Sequence, residues 1–404
     1  MRFHILGIPH TQTVKEQCTC AYTQKIYKLC KILYDQGHTV YHYGTEGSNP
    51  SCTEQINTIS EKEHNAKFGE QWKTKHSFDI TDDHHQKWYN ECAKQVRSRL
   101  ERKDFVLCMW GLGVKKVLEL IPELYEKAIV VEPGIGYHSE SGLGPEVHKV
   151  YESYNWMAYN YGRLCHPPEG ANEGYVPRNY DCVIPNYWDP EDFIFSKEKD
   201  DYFLFFGRVI ERKGTYVAME ACEAANVKLI VAGQGNEEHH NLQDNKNIEY
   251  IGFVDNQKRA ELMSRAKAVF VPTQYFEPFG GVAVEAQMCG TPVICSDFGV
   301  FNETVLHGVT GYRCRTLDQY VWAIDNVHKL DPHVITNWAI DNFSLTKVGE
   351  MYEEYFSMLY QMWNEGWYAR RKDINGEWLT KIYPGSPKPR FISIAEMEKL
   401  QHNL

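Results

Sequence analysis

The stretch AVFVPTQYFEPFGGVAVEAQMCGTPVICS, residues 268–296, decides the fold. An apolar run, AVFVP, leads through a loop into a helix-length segment at 281–289 and then into a second apolar run, TPVICS. Two strands separated by a helix form a parallel crossover, because antiparallel neighbours need only a tight turn. Both runs are apolar throughout and do not alternate, which places them in a sheet covered on both faces.

Outward from this unit the alternation repeats. YFLFFG (202–207), VKLIVAG (227–233) and NIEYIGF (247–253) read as strands, with helices expected at 214–226, 256–266 and 316–330. Upstream, RFHILGI (2–8) precedes CAYTQKIYKLCKILYDQG (20–37), where Tyr22, Ile26, Leu29 and Leu33 fall at helical spacing, and TVYHYG follows. DFVLCMW (104–110), AIVVEP (128–133) and DCVIP (181–185) continue the series, while residues 46–100 are too polar to assign. The polar, proline-bearing NYWDPEDFIFSKEKDD (186–201) separates the two series.

The fold expected is α/β: two doubly wound, Rossmann-like domains, residues 1–185 and 186–366. The amphipathic stretch at 344–366 closes the second domain, and the Trp/Tyr-rich tail, with 367–404 at its end, either decorates that domain or crosses back to the first. A chain of 404 residues suits two cores better than one.

A formal net charge of −11 argues against a protein that gains affinity by neutralising a nucleic-acid backbone. The most basic stretch, KQVRSRLERK (94–103), reads as a solvated helix face. Twelve scattered cysteines with no Cys-x-x-Cys pair suit reduced thiols, and no run approaches the roughly 20 apolar residues of a membrane span. A cytoplasmic protein is expected, with peripheral contact to a membrane left open.

Open parallel sheets bind ligands beyond the carboxyl ends of their strands. After YFLFFG come Arg208, Lys213 and Gly214, two cations that can converge on one diphosphate at a helix N-terminus. After AVFVP, Glu277 offers a carboxylate to hydroxyls, and Gly280 and Gly281 offer bare backbone amides. With a helix starting near Gly280, Glu285 lies roughly 7–8 Å further along its axis, about the reach from a diphosphate to its ribose. The set suits a polyhydroxylated, phosphorylated ligand.

Residues 202–312 resemble the donor-binding domain of glycosyltransferase family four, which has the GT-B fold. The matching segments are LFFGRVIERKG, LIVAGQGNE, IEYIGFVD, AVFVPTQYFEPFGGVAVEAQMCGTPVICSDFGVFNETV and GVTGY. The family's Glu-x7-Glu pattern is met by Glu277 and Glu285, and its phosphate-binding Arg and Lys by Arg208 and Lys213. The resemblance implies transfer of a hexosyl group, with retention of configuration, from a UDP- or GDP-linked donor to a hydroxyl of a glycan or other acceptor. It also implies no cofactor and no catalytic metal, in keeping with a sequence that has no Asp-x-Asp.

The donor residues so implied are Gly207, Arg208, Lys213, Gly252, Phe253, Val254, Glu277, Phe279, Gly280, Gly281 and Glu285. Arg208 and Lys213 would stabilise charge on the departing diphosphate, and Glu277 would orient the sugar. In the first half the usual glycine pair is replaced by GIPHTQT, which leaves His10 and Thr11 as acceptor-side candidates. Glu132 stands at the strand end where the family commonly has a catalytic histidine, with Tyr137 and His138 just beyond.

Two rivals share the architecture: a sugar-nucleotide epimerase, which needs no acceptor, and a non-catalytic sugar-nucleotide binder. A dinucleotide enzyme is disfavoured, since Gly111/Gly113, Gly134/Gly136 and Gly233/Gly235 all lack the third glycine. EEHH (237–240) and the pair His84 and His85 read as surface, not as metal ligands.

Overall fold

A computed structural model describes residues 1–17, 20–69, 79–135, 143, 146–164, 180–235 and 246–363. Among the described residues, thirteen strands form two wholly parallel sheets. The first sheet contains β1 (Arg2–Leu6), β2 (Thr39–Thr45), β3 (Glu54–Ile59), β4 (Asp104–Cys108), β5 (Ala128–Ile135), β6 (His148–Tyr151) and β7 (Cys182–Val183), in the order β3-β2-β1-β4-β5-β6-β7. The second contains β8 (Phe203–Phe206), β9 (Leu229–Ala232), β10 (Ile248–Gly252), β11 (Val269–Val271), β12 (Val293–Ser296) and β13 (Gly311–Cys314), in the order β10-β9-β8-β11-β12-β13.

Each sheet therefore reverses its winding once, between β1 and β4 and between β8 and β11. A crevice opens at such a reversal, because the connections on its two sides leave toward opposite faces of the sheet. Cores lie on both faces: Phe3, Ile5, Phe105 and Leu107 point to one side of the first sheet, and Leu6, Val106 and Cys108 to the other. The second sheet divides likewise, with Phe203, Phe205 and Phe270 on one side and Leu204, Val269 and Val271 on the other. Unbroken apolar runs follow from burial on both faces.

The helix Leu345–Met362 corrects the expected grouping of 186–366. Its apolar stripe, Val348, Met351, Tyr352, Tyr355, Phe356 and Leu359, packs into the first domain's core beside Phe3, Ile26 and Phe105. The chain thus passes between domains twice, and the two passages pair: Trp188 N donates to Phe343 O at 2.9 Å and Leu345 N to Trp188 O at 2.9 Å. Residues 367–404 lie outside the described residues.

The domains also meet at the helix Tyr154–Leu164. Its first amides, on Tyr154 and Asn155, donate to the carboxylate of Glu303 from the second domain at 2.9 and 2.7 Å. An acid at a helix N-terminus satisfies amides left over by the helix and complements its dipole. Tyr159 stacks on Phe276 nearby, with ring centroids 5.1 Å apart.

Among the described residues no helix is long and apolar enough to cross a membrane. The ten described cysteines form no disulfide. The basic stretch expected to be a solvated face carries surface ion pairs, Arg97 to Glu123 and Arg99 to Glu54. His85, by contrast, is buried, with Nδ1 at 2.8 Å from Asp82, and His84 is half-buried, with Nε2 at 3.1 Å from the Pro9 carbonyl, so neither is the surface residue expected. Residues 237–240 lie outside the described residues.

Candidate functional site

Loops beyond the strand ends of both sheets line one cleft of about 1330 Å³. That exceeds the roughly 300–1,000 Å³ of a site for one small ligand and leaves room for two substrates. Arg208 follows β8 and Glu277 follows β11, the two strands flanking the reversal of the second sheet. His10 and Trp110 follow β1 and β4 on the opposite wall.

Lys213 and Glu277 form the centre of the second domain's wall of the cleft. Lys213 Nζ donates to Glu277 Oε2 at 2.6 Å, and Glu277 is only 4% exposed. Lys213 reaches this position because Gly214 takes a left-handed conformation, φ 72°, that ends one short helical turn and starts the next helix. A Cβ at Gly214 would lie 2.0 Å from the Pro272 carbonyl, so the turn holds the lysine's loop tightly against the end of β11.

The helix Gly281–Met288 begins where expected, with Gly280 at φ 74° as its N-cap and no capping side chain. Its first amides open toward the cleft that Glu277, Gly280 and Gly281 line. A Cβ at Gly281 would stand 3.0 Å from the Trp188 ring, so the bare position lets that indole pack against the start of the helix. Glu285, one turn on, accepts from Trp188 Nε1 at 3.2 Å and from Arg259 at 3.3 Å, both through Oε1. Its Oε2 is buried without a hydrogen-bond partner among the described residues.

Of the residues expected from sequence, the cleft brings together Gly207, Arg208, Lys213, Glu277, Phe279, Gly280, Gly281, Glu285 and His10. Phe279 is 3% exposed and stacks on Trp188 at 5.6 Å. Others stand elsewhere. Gly252, Phe253 and Val254 are not among the described lining residues, because β10 is the sheet's edge strand, two strands away from the reversal. Glu132 is buried and absent from the lining too, since β5 runs on to Ile135 and leaves it inside the strand, not at its end. Thr11 faces away, its hydroxyl 2.6 Å from that of Thr23. Tyr137 and His138 lie outside the described residues.

Sequence reasoning missed a set of charged residues in the cleft. Lys25 and Lys28 sit on the helix Ala21–Asp35, Glu152 follows β6, Asn186 and Trp188 belong to the first passage between domains, and Arg259 lies on the helix Asn256–Arg265. Lys25 pairs with Glu152, while Lys28 sits over the Trp188 ring, 5.6 Å from its centroid. Burial pulls Lys28 down to about 8, Glu285 across the cleft pulls it back up, and Arg259 pushes it further down.

A lysine held below its ordinary value costs stability while charged. Between about pH 8 and 10.5 the unfolded chain binds the extra proton, so stability rises with pH across that window and the full cost applies below it. Lys28→Met is therefore expected to be more stable than the parent at pH 7, by about 1 kcal/mol after allowance for partial solvation. Thermal melts should show the difference shrinking as pH rises from 8 toward 10.

Residues 189–334 match the family model of glycosyl transferases group 1. An uncharacterized glycosyltransferase of Methanocaldococcus jannaschii is 29% identical over 173 residues, which are 39% of this chain and 42% of that protein. The phosphatidyl-myo-inositol mannosyltransferase of Mycobacterium leprae is 35% identical over 118 residues, 27% of this chain and 32% of that one. The chain thus spans less than half the length of the curated relatives it matches.

Likeness to solved structures runs through both domains. AviGT4, a glycosyltransferase involved in avilamycin A biosynthesis, aligns with 89% of this chain and 98% of its own, at TM-score 0.59 and 20% identity. The Anabaena protein HepE, crystallised with UDP and glucose, aligns with 88% and 99%, at TM-score 0.56 and 15% identity. The fold is GT-B: two Rossmann-like domains facing each other across a cleft.

Proposed function

We propose, from a chain whose residues 189–334 match the family model of glycosyl transferases group 1, that this protein moves a hexosyl group from a nucleoside diphosphate sugar to a hydroxyl acceptor, with retention of configuration. One observation carries the reading. The Lys213–Glu277 pair, Arg208, the mouth of the helix Gly281–Met288 and Glu285, whose Oε2 has no hydrogen-bond partner among the described residues, line a single cleft at the reversal of the second sheet.

The diphosphate lies at the helix mouth, where the amides of Gly280 and Gly281 and the charges of Arg208 and Lys213 meet its oxygens. Glu285 Oε2 accepts from a ribose hydroxyl, and Glu277 accepts from hydroxyls of the transferred sugar. As the bond from the anomeric carbon to the β-phosphate oxygen breaks, negative charge gathers on the diphosphate. Arg208 and Lys213 are already in place to stabilise it, which lowers the barrier without reorganising water. The acceptor oxygen approaches the same face of the sugar, forms the new bond to the anomeric carbon and gives its proton to the departing phosphate. That geometry retains the configuration and asks for no carboxylate nucleophile.

HepE's bound UDP makes a uridine nucleotide the first donor to try. In a thermal-shift screen, one nucleoside diphosphate should raise the melting temperature, since saturation at 100 times Kd adds about 2.7 kcal/mol to native stability. The matching sugar donor should be consumed far faster when an acceptor is present than without one, and NMR of the product should give the donor's anomeric configuration. Conversion of the donor into its epimer without acceptor would favour an epimerase. Inverted product would contradict the same-face step.

A further inference from the structure

The cleft carries a second lysine–glutamate pair on its other wall. Lys25 Nζ pairs with Glu152 Oε1, with side chains 12% and 4% exposed, and Asn186 Nδ2 donates to Glu152 Oε2 at 3.0 Å. Both residues of the pair line the cleft. The neighbouring Ser153 donates from Oγ to the carbonyl of Pro278 at 2.7 Å. The residue after Glu152 is therefore fastened to the residue after Glu277, and the two acids stand on facing walls one residue from a shared hydrogen bond.

We propose that Lys25 and Glu152 form the acceptor subsite, taking an uncharged sugar through two of its hydroxyl groups. The proposal rests on the donor reading above and adds the chemistry of the second substrate. Each carboxylate oxygen of Glu152 meets one protein group, while a carboxylate has about four lone-pair sites, so it can still accept from a hydroxyl in the cleft. Lys25 Nζ, which also donates to Gly134 O at 3.2 Å, retains a third proton for a neighbouring acceptor oxygen. The pair is neutral as a unit. A phosphate- or carboxylate-bearing acceptor would set its charge against a buried Glu152, whereas adjacent hydroxyls use both members without leaving a charge unpaired.

The test uses the full chain, the donor found by the melting screen, and a panel of methyl hexosides, uronic acids and hexose phosphates. Wild type is expected to glycosylate neutral hexosides in preference to charged ones. Glu152→Gln should raise the KM for the hexoside about tenfold or more, the loss expected for a hydrogen bond to a charged group. Donor KM and the nucleoside diphosphate melting shift should stay at wild-type values. Lys25→Met with Glu152→Met, which removes both charges together, covers the case in which the single variant does not fold and should show the same split.

An unchanged hexoside KM in variants that still bind nucleoside diphosphate overturns the subsite alone. So does preference for a charged acceptor, or no transfer to any neutral hexoside. Failure of wild type to bind any nucleoside diphosphate removes the donor reading and this one with it.

Discussion

Glu277→Ala is expected to lower kcat/KM for transfer about a thousandfold, roughly 4 kcal/mol of transition-state stabilisation, while leaving the nucleoside diphosphate melting shift nearly unchanged. The split follows from where the charges sit. In the proposed site Arg208, Lys213 and the helix mouth grip the diphosphate, and none of these is removed. Freed of its carboxylate, Lys213 turns wholly to the phosphate, so nucleotide affinity should if anything rise. The sugar loses the acceptor that fixes its orientation, and a misplaced anomeric carbon costs rate more than binding. Isothermal titration of the nucleotide beside steady-state kinetics separates the two. Equal losses in both would make Glu277 a support of the fold and not a sugar ligand.

Lys213→Met is expected to show the opposite split. It removes a charge from the phosphate and leaves Glu277, 4% exposed, without its cation. Nucleotide affinity and kcat/KM should both fall, kcat/KM by about a thousandfold, because the lost cation stabilises charge that develops only as the bond breaks. Stability should also fall, by about 2 kcal/mol, since removing one partner strands a buried carboxylate. Lys213→Arg keeps the charge and should recover most of the stability but less of the activity, because its planar fork cannot occupy the place of a compact ammonium. Circular-dichroism melts and single-turnover rates on the same preparations distinguish the contributions.

The second domain's wall of the cleft was legible in the sequence because its residues follow strands that are apolar from end to end, so their loops could be placed without knowing the sheet order. Gly280 and Gly281 mark the helix start in the chain itself. The first domain gave less. β3, EQINTI, has only two apolar residues in six and lies at the sheet edge, β6 is four residues with a lysine and a histidine, and the helix Asp83–Arg99 opens on DHHQK. Their polarity reflects partial exposure, and partial exposure weakens the pattern that identifies an element.

The first domain's wall of the cleft was hidden for a different reason. Lys25 and Lys28 occupy the polar face of an amphipathic helix, and nothing in that spacing says whether the face meets water or another domain. Glu152 and Asn186 are single polar residues next to short strands. The helix Leu345–Met362 shows its apolar stripe plainly, yet a stripe does not name its partner, and the helix packs on the domain farther back in the chain. Glu132 misled because the strand end was set at Pro133, while β5 continues to Ile135.

A crystal structure of the protein soaked with the nucleoside diphosphate that gives the largest melting shift tests the account at its centre. The account predicts the diphosphate at the mouth of the helix Gly281–Met288, within hydrogen-bond reach of Arg208 and Lys213, with the ribose hydroxyls on Glu285 Oε2. Density for the nucleotide at any other place, with those four groups still facing an empty cleft, would contradict it.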